Sequence, residues 1–87
     1  MRIMEAAIRD VLAQYGRMPA DATVIDRGAD LYQSGLSSHA SVNVMLALED
    51  RFEVEFPDAL LRKSTFESIA AIEGALVSLG VVDVAAG

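Results

Sequence analysis

The sequence predicts an all-α fold: a four-helix bundle with a long loop between helices 1 and 2 and a short third helix. Three stretches carry large apolar side chains at the three- and four-residue steps of a helix that buries one face. Glycines stand where the first and the last of these stretches end, as is common at helix C-termini. The alternation at residues 54–56 is too short to build a sheet.

The first stretch, residues 2–15, is predicted to be a helix that ends at Gly16. Its apolar stripe consists of Ile3, Ala7, Ile8, Val11, Leu12 and Tyr15. The charged residues avoid this stripe, and we expect them to form a solvated face without a function; they are Arg2, Glu5, Arg9 and Asp10.

Residues 17–35 show no helical period and are rich in turn-forming residues, so they are predicted to form a long loop. Apolar side chains are expected to pin this loop onto the bundle, namely Met18, Val24, Ile25, Leu31 and Tyr32. Asp21, Asp26 and Asp30 lack the spacing and the terminal glutamate of an EF-hand. We therefore expect these aspartates to cap turns, and no metal site is predicted.

The second helix is predicted to begin at Ser38, and its core-facing residues are expected to be Val42, Met45, Leu46, Leu48 and Phe52. Gly35 can adopt backbone angles that other residues avoid, and either Ser37 or Ser38 can cap the first amides. A phosphate ester at such a helix start would be well accommodated, because the amides are free and the macrodipole is positive. On this pattern alone a simple cap is the better interpretation.

The last third of the chain is divided by Pro57, which closes the second helix segment. A short turn of helix with Leu60 and Leu61 is predicted next, followed by a capping box in which Ser64 is the N-cap and Glu67 reaches back. The last helix should end at Gly80, and its buried stripe is predicted to be Phe66, Ile69, Ile72, Ala75, Leu76 and Leu79. Residues 1–80 are interpreted as one domain and residues 81–87 as a short tail.

Composition excludes several classes of function. The 87 residues include no cysteine, so disulfides and thiolate metal sites are absent and any thiol must come from an added group. A single histidine leaves little material for a metal site or a catalytic triad. We therefore expect a protein that is not an enzyme.

Charge and hydropathy restrict the partners. A net charge of −6 argues against binding to nucleic acid, which draws on clustered lysine and arginine. No run is long enough to span a membrane, and the first residues do not read as a signal peptide. The expected location is the cytoplasm, without a membrane partner.

Residues 30–65 resemble the acyl carrier proteins and the peptidyl carrier domains. The resemblance is carried by Asp30-Leu31, Gly35-Leu36-Ser37-Ser38, Val42, Leu46, Ala47-Leu48-Glu49, Phe52 and Val54-Glu55-Phe56-Pro57. In that family the serine of an Asp-Ser-Leu signature receives a 4′-phosphopantetheine arm. The register places Ser38 at that serine, with Ser37 at the aspartate position and His39 at the leucine position.

The resemblance implies a carrier that holds an acyl or aminoacyl group as a thioester on the arm. Ser38 is the implied attachment site and Ser37 the fallback, whereas Ser34 and Ser41 are less well placed. The implied partners are a phosphopantetheinyl transferase, an amino acid:carrier protein ligase or another acyl-loading enzyme, and a downstream transferase. The residues expected to be recognised by partners are Leu36, Ser37, His39, Val42 and Met45, and the expected state is a monomer.

Aminoacyl cargo is favoured over fatty acyl cargo. Carriers of fatty acid synthesis tend to place acidic residues on the first turns of this helix, whereas the present chain has Ala40, Ser41 and Asn43 there. The Gly-Leu-Ser-Ser-His stretch resembles the small stand-alone bacterial carriers that accept amino acids from ligases similar to the catalytic core of seryl-tRNA synthetase.

His39 either contacts the phosphate, the cargo or a partner, or simply faces solvent. The alternative function is a helical protein interaction module without a prosthetic group.

Overall fold

A computed structural model describes residues 3–19 and 21–82. These residues form three α-helices, α1 (Ile3–Tyr15), α2 (Ser38–Phe52) and α3 (Ile69–Ser78). Two short 3₁₀ helices, Asp58–Leu60 and Lys63–Phe66, lie between α2 and α3. No strand occurs within the described ranges. The predicted all-α fold is therefore confirmed, and the predicted long loop separates α1 from α2.

One apolar core joins the three helices. Its nine largest fully buried side chains are Met4, Ile8, Leu12, Leu31, Val44, Leu48, Ile69, Ile72 and Leu76. Burying one such side chain stabilises the fold by about 1.5–3 kcal/mol relative to leaving it in water. The predicted stripes of α1 and α3 thus face this core, except that Ile3 and Tyr15 are 53% and 44% exposed and Met4 is an additional core residue.

The long loop is fixed to the bundle by two buried side chains, Ala22 and Leu31, and by backbone hydrogen bonds. Leu31 is fully buried, and its N–H donates to the carbonyl of Glu67 at 2.7 Å. The N–H of Ala70 donates to the carbonyl of Arg27 at 3.0 Å, so the loop also receives a bond from the start of α3. The prediction that Val24 helps to anchor the loop is wrong, because its side chain is 76% exposed.

Two arginines add a second set of loop contacts. The guanidinium of Arg9 donates to the carbonyls of Ile25 at 2.6 Å and Ala22 at 3.2 Å, and it pairs with Glu5 at 3.1 Å. The Arg9 and Glu5 side chains are only 11% and 14% exposed. The expectation of a purely solvated charged face on α1 is therefore wrong, because this part of it holds the loop. Arg2, also assigned to that face, lies outside the described residues.

Arg27 extends the same ion-pair network from the loop to two helices. Its guanidinium lies 3.1 Å from a carboxylate oxygen of Glu5 on α1 and 2.9 Å from one of Glu73 on α3. Pairs to charged groups contribute more than neutral hydrogen bonds when they are partly buried. The loop thereby holds α1 and α3 in a fixed relation to the residues that precede α2.

The buried face of α2 differs from the prediction. Ala40, Val44 and Leu48 face the core, whereas Val42 and Leu46 are 50% and 53% exposed. The sequence of α2 contains two apolar stripes, and the periodicity of 3.6 residues fits both. The core takes one stripe and leaves the other exposed.

The segment between α2 and α3 also departs from the prediction. The expected short third helix is a 3₁₀ turn at Asp58–Leu60, so a fourth α-helix is not confirmed. Ser64 lies inside the second 3₁₀ helix and does not cap α3; Ser68 does, because its hydroxyl accepts a bond from the N–H of Ala71 at 3.0 Å. Thr65 and Phe66 are both buried in that 3₁₀ helix, which delays the start of α3 to Ile69.

The ends of α1 and α3 fall where the glycines predicted them. α1 ends at Tyr15 just before Gly16, and α3 ends at Ser78 two residues before Gly80. Gly80 has a φ of +93°, and the N–H of Val81 reaches back to the carbonyl of Leu76 at 3.1 Å. This closing turn satisfies carbonyls that the helix leaves free. Most of the predicted tail, residues 83–87, lies outside the described residues.

The three loop aspartates cap turns, as predicted. Asp21 accepts bonds from the N–H and hydroxyl of Thr23, Asp26 from the N–H of Gly28, and Asp30 from the N–H of Tyr32. Within residues 3–19 and 21–82, no group of three or more potential ligands is placed to hold a metal ion. None of the helices in these ranges is long and apolar enough to cross a membrane.

Candidate functional site

The turn before α2 requires a glycine at position 35. Gly35 has a φ of +111°, and a Cβ at this position would clash with the ring of Pro19. The next residue, Leu36, is 3% exposed, and its N–H donates to the carbonyl of Leu31 at 3.0 Å. The chain is therefore anchored in the core two residues before α2 begins.

Ser37 is the N-cap of α2. Its backbone is extended, with φ −85° and ψ 160°, and its hydroxyl accepts a hydrogen bond from the N–H of Ala40 at 3.0 Å. Its carbonyl accepts the first helical bond, from the N–H of Ser41 at 2.9 Å. The Ser37 hydroxyl is thus engaged in stabilising the helix start.

Ser38 is the first residue of α2, and its side chain is exposed. The hydroxyls of the neighbouring serines are engaged: Ser34 donates to the carbonyl of Asp30 at 3.1 Å and Ser41 to the carbonyl of Ser38 at 2.7 Å. Within the described part of the chain, the Ser38 hydroxyl makes no hydrogen bond. Of the serines around this helix start, Ser38 is the one whose hydroxyl stands free.

The start of α2 suits a phosphate ester on Ser38. The N–H groups of Ser38 and His39 make no hydrogen bond to the described residues, and no acidic residue occupies the first turn. Free first-turn amides and the positive end of the helix dipole favour a negative group there. A phosphodiester joined to the Ser38 oxygen would therefore lie in a favourable electrostatic environment.

A groove of about 300 Å³ opens beside Ser38. Its lining is mostly apolar and comes from the loop, from α2, from the second 3₁₀ helix and from the two residues before that helix. The lining residues are Tyr32, Ser38, Ser41, Val42, Met45, Leu61, Arg62, Lys63 and Phe66. The ammonium of Lys63 lies 4.8 Å from the centroid of the Tyr32 ring. A flexible arm on Ser38 would have this groove within reach.

The residues expected to be recognised by partners fall into two groups. Ser37 and His39 are exposed, Val42 is 50% exposed and Met45 is partly buried, so these four side chains are open to a partner. Leu36 differs from the other four, because its side chain is buried and is not open to a partner. His39 does not line the groove.

The sequence did not predict that residues 61–66 contribute to the groove beside Ser38. Leu61 was predicted to lie in a short helical turn and Phe66 in the buried stripe of the last helix, and no role was predicted for Arg62 and Lys63. Their approach to Ser38 is a contact between parts of the chain more than twenty residues apart, and periodicity does not report such contacts. The cluster of two cations in an acidic chain was the available signal.

Comparison with known proteins identifies the family of this site. Residues 6–75 match the family described as "Phosphopantetheine attachment site". An aminoacyl carrier protein of Agrobacterium fabrum (strain C58) is 51% identical to the chain over 70 residues, which are 80% of this chain and 84% of that protein.

Solved structures agree with this match. A carrier protein from Agrobacterium tumefaciens, complexed with an engineered Bradyrhizobium japonicum glycine:[carrier protein] ligase and AMP, aligns with a TM-score of 0.82 at 48% identity. The alignment covers 84% of this chain and 97% of that carrier. The cognate carrier protein of the Bradyrhizobium japonicum ligase, complexed with it and an analogue of glycyl adenylate, aligns with a TM-score of 0.74 at 25% identity over 87% of this chain and 97% of that one.

These similarities support a carrier and not an interaction module without a prosthetic group. The family match spans both the loop and α2, and the helical arrangement is that of the carrier proteins. The chain belongs to the carrier proteins with a phosphopantetheine attachment site, and its cofactor is covalently attached phosphopantetheine.

Proposed function

We propose that the protein carries an amino acid as a thioester on a 4′-phosphopantetheine arm attached to the side-chain oxygen of Ser38. One observation carries the choice of residue: Ser37 uses its hydroxyl to cap α2, whereas the adjacent Ser38 hydroxyl is exposed and without a hydrogen bond in the described structure. The resemblance of residues 30–65 to the carrier family, which implies Ser38 as the attachment serine, supports the same choice.

Attachment at Ser38 is a phosphoryl transfer from coenzyme A. The Ser38 oxygen forms a bond to the phosphorus that carries pantetheine, and the pyrophosphate bond of coenzyme A breaks, releasing adenosine 3′,5′-bisphosphate. The hydroxyl proton leaves to a base supplied by the transferase. The chain itself contributes an exposed nucleophile and a helix start whose free amides and dipole favour the resulting negative charge.

The bound group supplies a thiol, which this cysteine-free chain lacks. The chain's own residues position the arm: Gly35 and Leu36 fix the start of α2, and Ser37 stabilises its first turn. Tethering raises the effective concentration of the cargo for the next enzyme. Loading and transfer are carried out by other enzymes, and we propose no catalytic activity for the chain.

The proposed cargo is an amino acid, with glycine the first to test. The similarity to an aminoacyl carrier protein and to a carrier bound to a glycine:[carrier protein] ligase supports this choice. The proposed partners are a phosphopantetheinyl transferase, an amino acid:carrier protein ligase and a downstream transferase. The monomeric state and the cytoplasmic location remain predictions.

We assign residues 1–80 to the carrier domain and residues 81–87 to the tail. In this domain the 3₁₀ helices Asp58–Leu60 and Lys63–Phe66 take the place of the short third helix of a four-helix carrier. The buried Phe66 and the groove-lining Leu61 support this assignment, because they give the segment both a core contact and a face toward the site.

The test is intact mass spectrometry in two steps. The chain is first incubated with coenzyme A, magnesium and a broad-specificity phosphopantetheinyl transferase, and the wild type should gain one arm. The modified protein is then incubated with ATP, glycine and the Bradyrhizobium japonicum glycine:[carrier protein] ligase, and it should gain one glycyl group.

The two steps separate the parts of the proposal. No arm on the folded wild type would contradict the carrier function itself. An arm without a glycyl group, for glycine and for the other amino acids offered with their ligases, would contradict the aminoacyl cargo alone. Hydroxylamine, which cleaves thioesters, should remove the glycyl group and leave the arm.

A further inference from the structure

The groove beside Ser38 is bordered by two cations that form no ion pair within residues 3–19 and 21–82. Arg62 and Lys63 line the groove and are exposed, although the net charge of the chain is −6. Three other described arginines, Arg9, Arg27 and Arg51, form ion pairs with carboxylates of the chain. Arg62 instead donates to the carbonyl of Ala59, and Lys63 lies over the Tyr32 ring.

An exposed apolar patch adjoins these cations. Val42 and Leu61 line the same groove and are 50% and 47% exposed, and Leu46, one turn beyond Val42, is 53% exposed. No acidic residue lies in the first turn of α2. The surface beside Ser38 is therefore apolar and positively charged in a protein that is acidic as a whole.

We propose that this basic groove face, made of Val42, Leu61, Arg62 and Lys63, docks an acidic surface of the amino-acid-loading ligase that also presents apolar side chains. The proposal rests on the proposed function and adds the chemistry of the partner. Arg62 and Lys63 attract carboxylates of the ligase during the encounter, and Val42 and Leu61 are covered in the complex. Recognition is thus opposite in sign to that of a carrier read through an acidic helix start.

The test measures association rates with the Bradyrhizobium japonicum glycine:[carrier protein] ligase as the probe. All variants carry Ser38→Ala, so no arm is needed, and failure of the attachment site cannot be confused with failure of the docking face. The series consists of the parent, Lys63→Glu, Arg62→Glu/Lys63→Glu and the neutral pair Arg62→Gln/Lys63→Gln. Thermal melts followed by circular dichroism establish that each variant is folded.

Arg17→Glu is the matched control. Arg17 is exposed, forms no ion pair among the described residues and does not line the groove. Its substitution changes the net charge by the same amount as Lys63→Glu. The control therefore separates a local docking effect from the effect of overall charge.

We expect the association rate constant to fall about tenfold for the double reversal, since rim charges act mainly on encounter rates. The neutral pair should be intermediate, and Arg17→Glu should stay within about twofold of the parent. Raising sodium chloride from about 50 to 300 mM should slow the parent but not the double reversal.

Three results would overturn the proposal. They are no measurable binding of the parent, equal or faster association of the double reversal, and an equal loss in Arg17→Glu and Lys63→Glu.

Discussion

The starts of α2 and α3 have the same cap but different roles. Ser37 and Ser68 both have extended backbones, and each hydroxyl accepts a hydrogen bond at 3.0 Å from the N–H three residues later. The residue that follows the cap differs: it is the exposed Ser38 in α2 and the fully buried Ile69 in α3. A capped helix start therefore does not by itself make a site; what matters is whether the first helical residue faces the core or the surface.

The approach of the chain to these two helices differs as well. α2 is entered from the turn at Gly35 and Leu36, which lies at the end of the long loop. α3 is entered directly from a 3₁₀ helix whose Thr65 and Phe66 are buried. As a result, the start of α2 is exposed beside a groove, whereas the start of α3 is buried in the core.

Truncating the first residue of each helix should separate these roles most strongly. Ile69→Ala removes a fully buried side chain and should lower the free energy of unfolding by about 2–5 kcal/mol. Ser38→Ala should change it by less than about 0.5 kcal/mol. Urea denaturation measures both, and Val77→Ala, at a 54% exposed position of α3, is the control for Ile69→Ala.

A glycine substitution tests the approach to α2. Gly35→Ala combines a positive φ with a clash against Pro19, and we expect a loss of about 1–3 kcal/mol. Gly74, inside α3, has no atom within 4 Å of an added Cβ, so Gly74→Ala should stabilise the fold by about 0.5–1 kcal/mol. Equal effects in the two variants would show that the turn before α2 has no special requirement for glycine.

The two caps should be equivalent in stability. Ser37→Ala and Ser68→Ala each remove one hydrogen bond to a first-turn amide, and each should lower the free energy of unfolding by about 1 kcal/mol. Both variants should still accept the arm. A Ser68 variant that is as stable as wild type would mean that the caps are not alike.

The predictable part of the fold is that which depends on local spacing. The three helices, the loop between α1 and α2, and the anchoring of that loop by Leu31 follow from the sequence. The sequence-based prediction wrongly placed Val42 and not Val44 in the core, since both residues fit a helical period. Which of them faces the core depends on the packing of α1 and α3 against α2.

The same limit applies to the second helix start and to the site. Ser64 and Ser68 both precede the apolar run of α3. Ser68 is the N-cap of α3 because residues 63–66, including the buried Phe66, form a 3₁₀ helix. Arg9 donates to carbonyls 13 and 16 residues away, which no local pattern shows. For Ser38, the family resemblance gave the position, whereas the free hydroxyl and the groove required the three-dimensional arrangement.

The far end of α2 provides the smallest expected effect. A hydrogen bond from Arg51, and then one from Gln14, holds the pKa of Asp10 below its usual value. Because the folded pKa is the lower one, this contribution to stability is present above the unfolded pKa and is lost as the pH falls through the folded pKa. Carboxyl NMR titration should show a higher pKa for Asp10 in Arg51→Gln.

The Asp10 pKa should be the same with and without the arm, since Arg51 lies in the last turn of α2 and Ser38 in the first. A shift of that pKa on modification would mean that the arm perturbs the whole helix.

The most direct test of the comparison between the two helix starts is the location of the arm. Wild type, Ser37→Ala, Ser38→Ala and Ser68→Ala are treated in parallel with coenzyme A and the transferase, and fragmentation mass spectrometry locates the phosphodiester. We predict an arm on Ser38 in wild type, Ser37→Ala and Ser68→Ala, and no arm in folded Ser38→Ala. An arm on Ser37 in wild type, or an arm retained by Ser38→Ala, would contradict the division of roles between the capping serine and the exposed one.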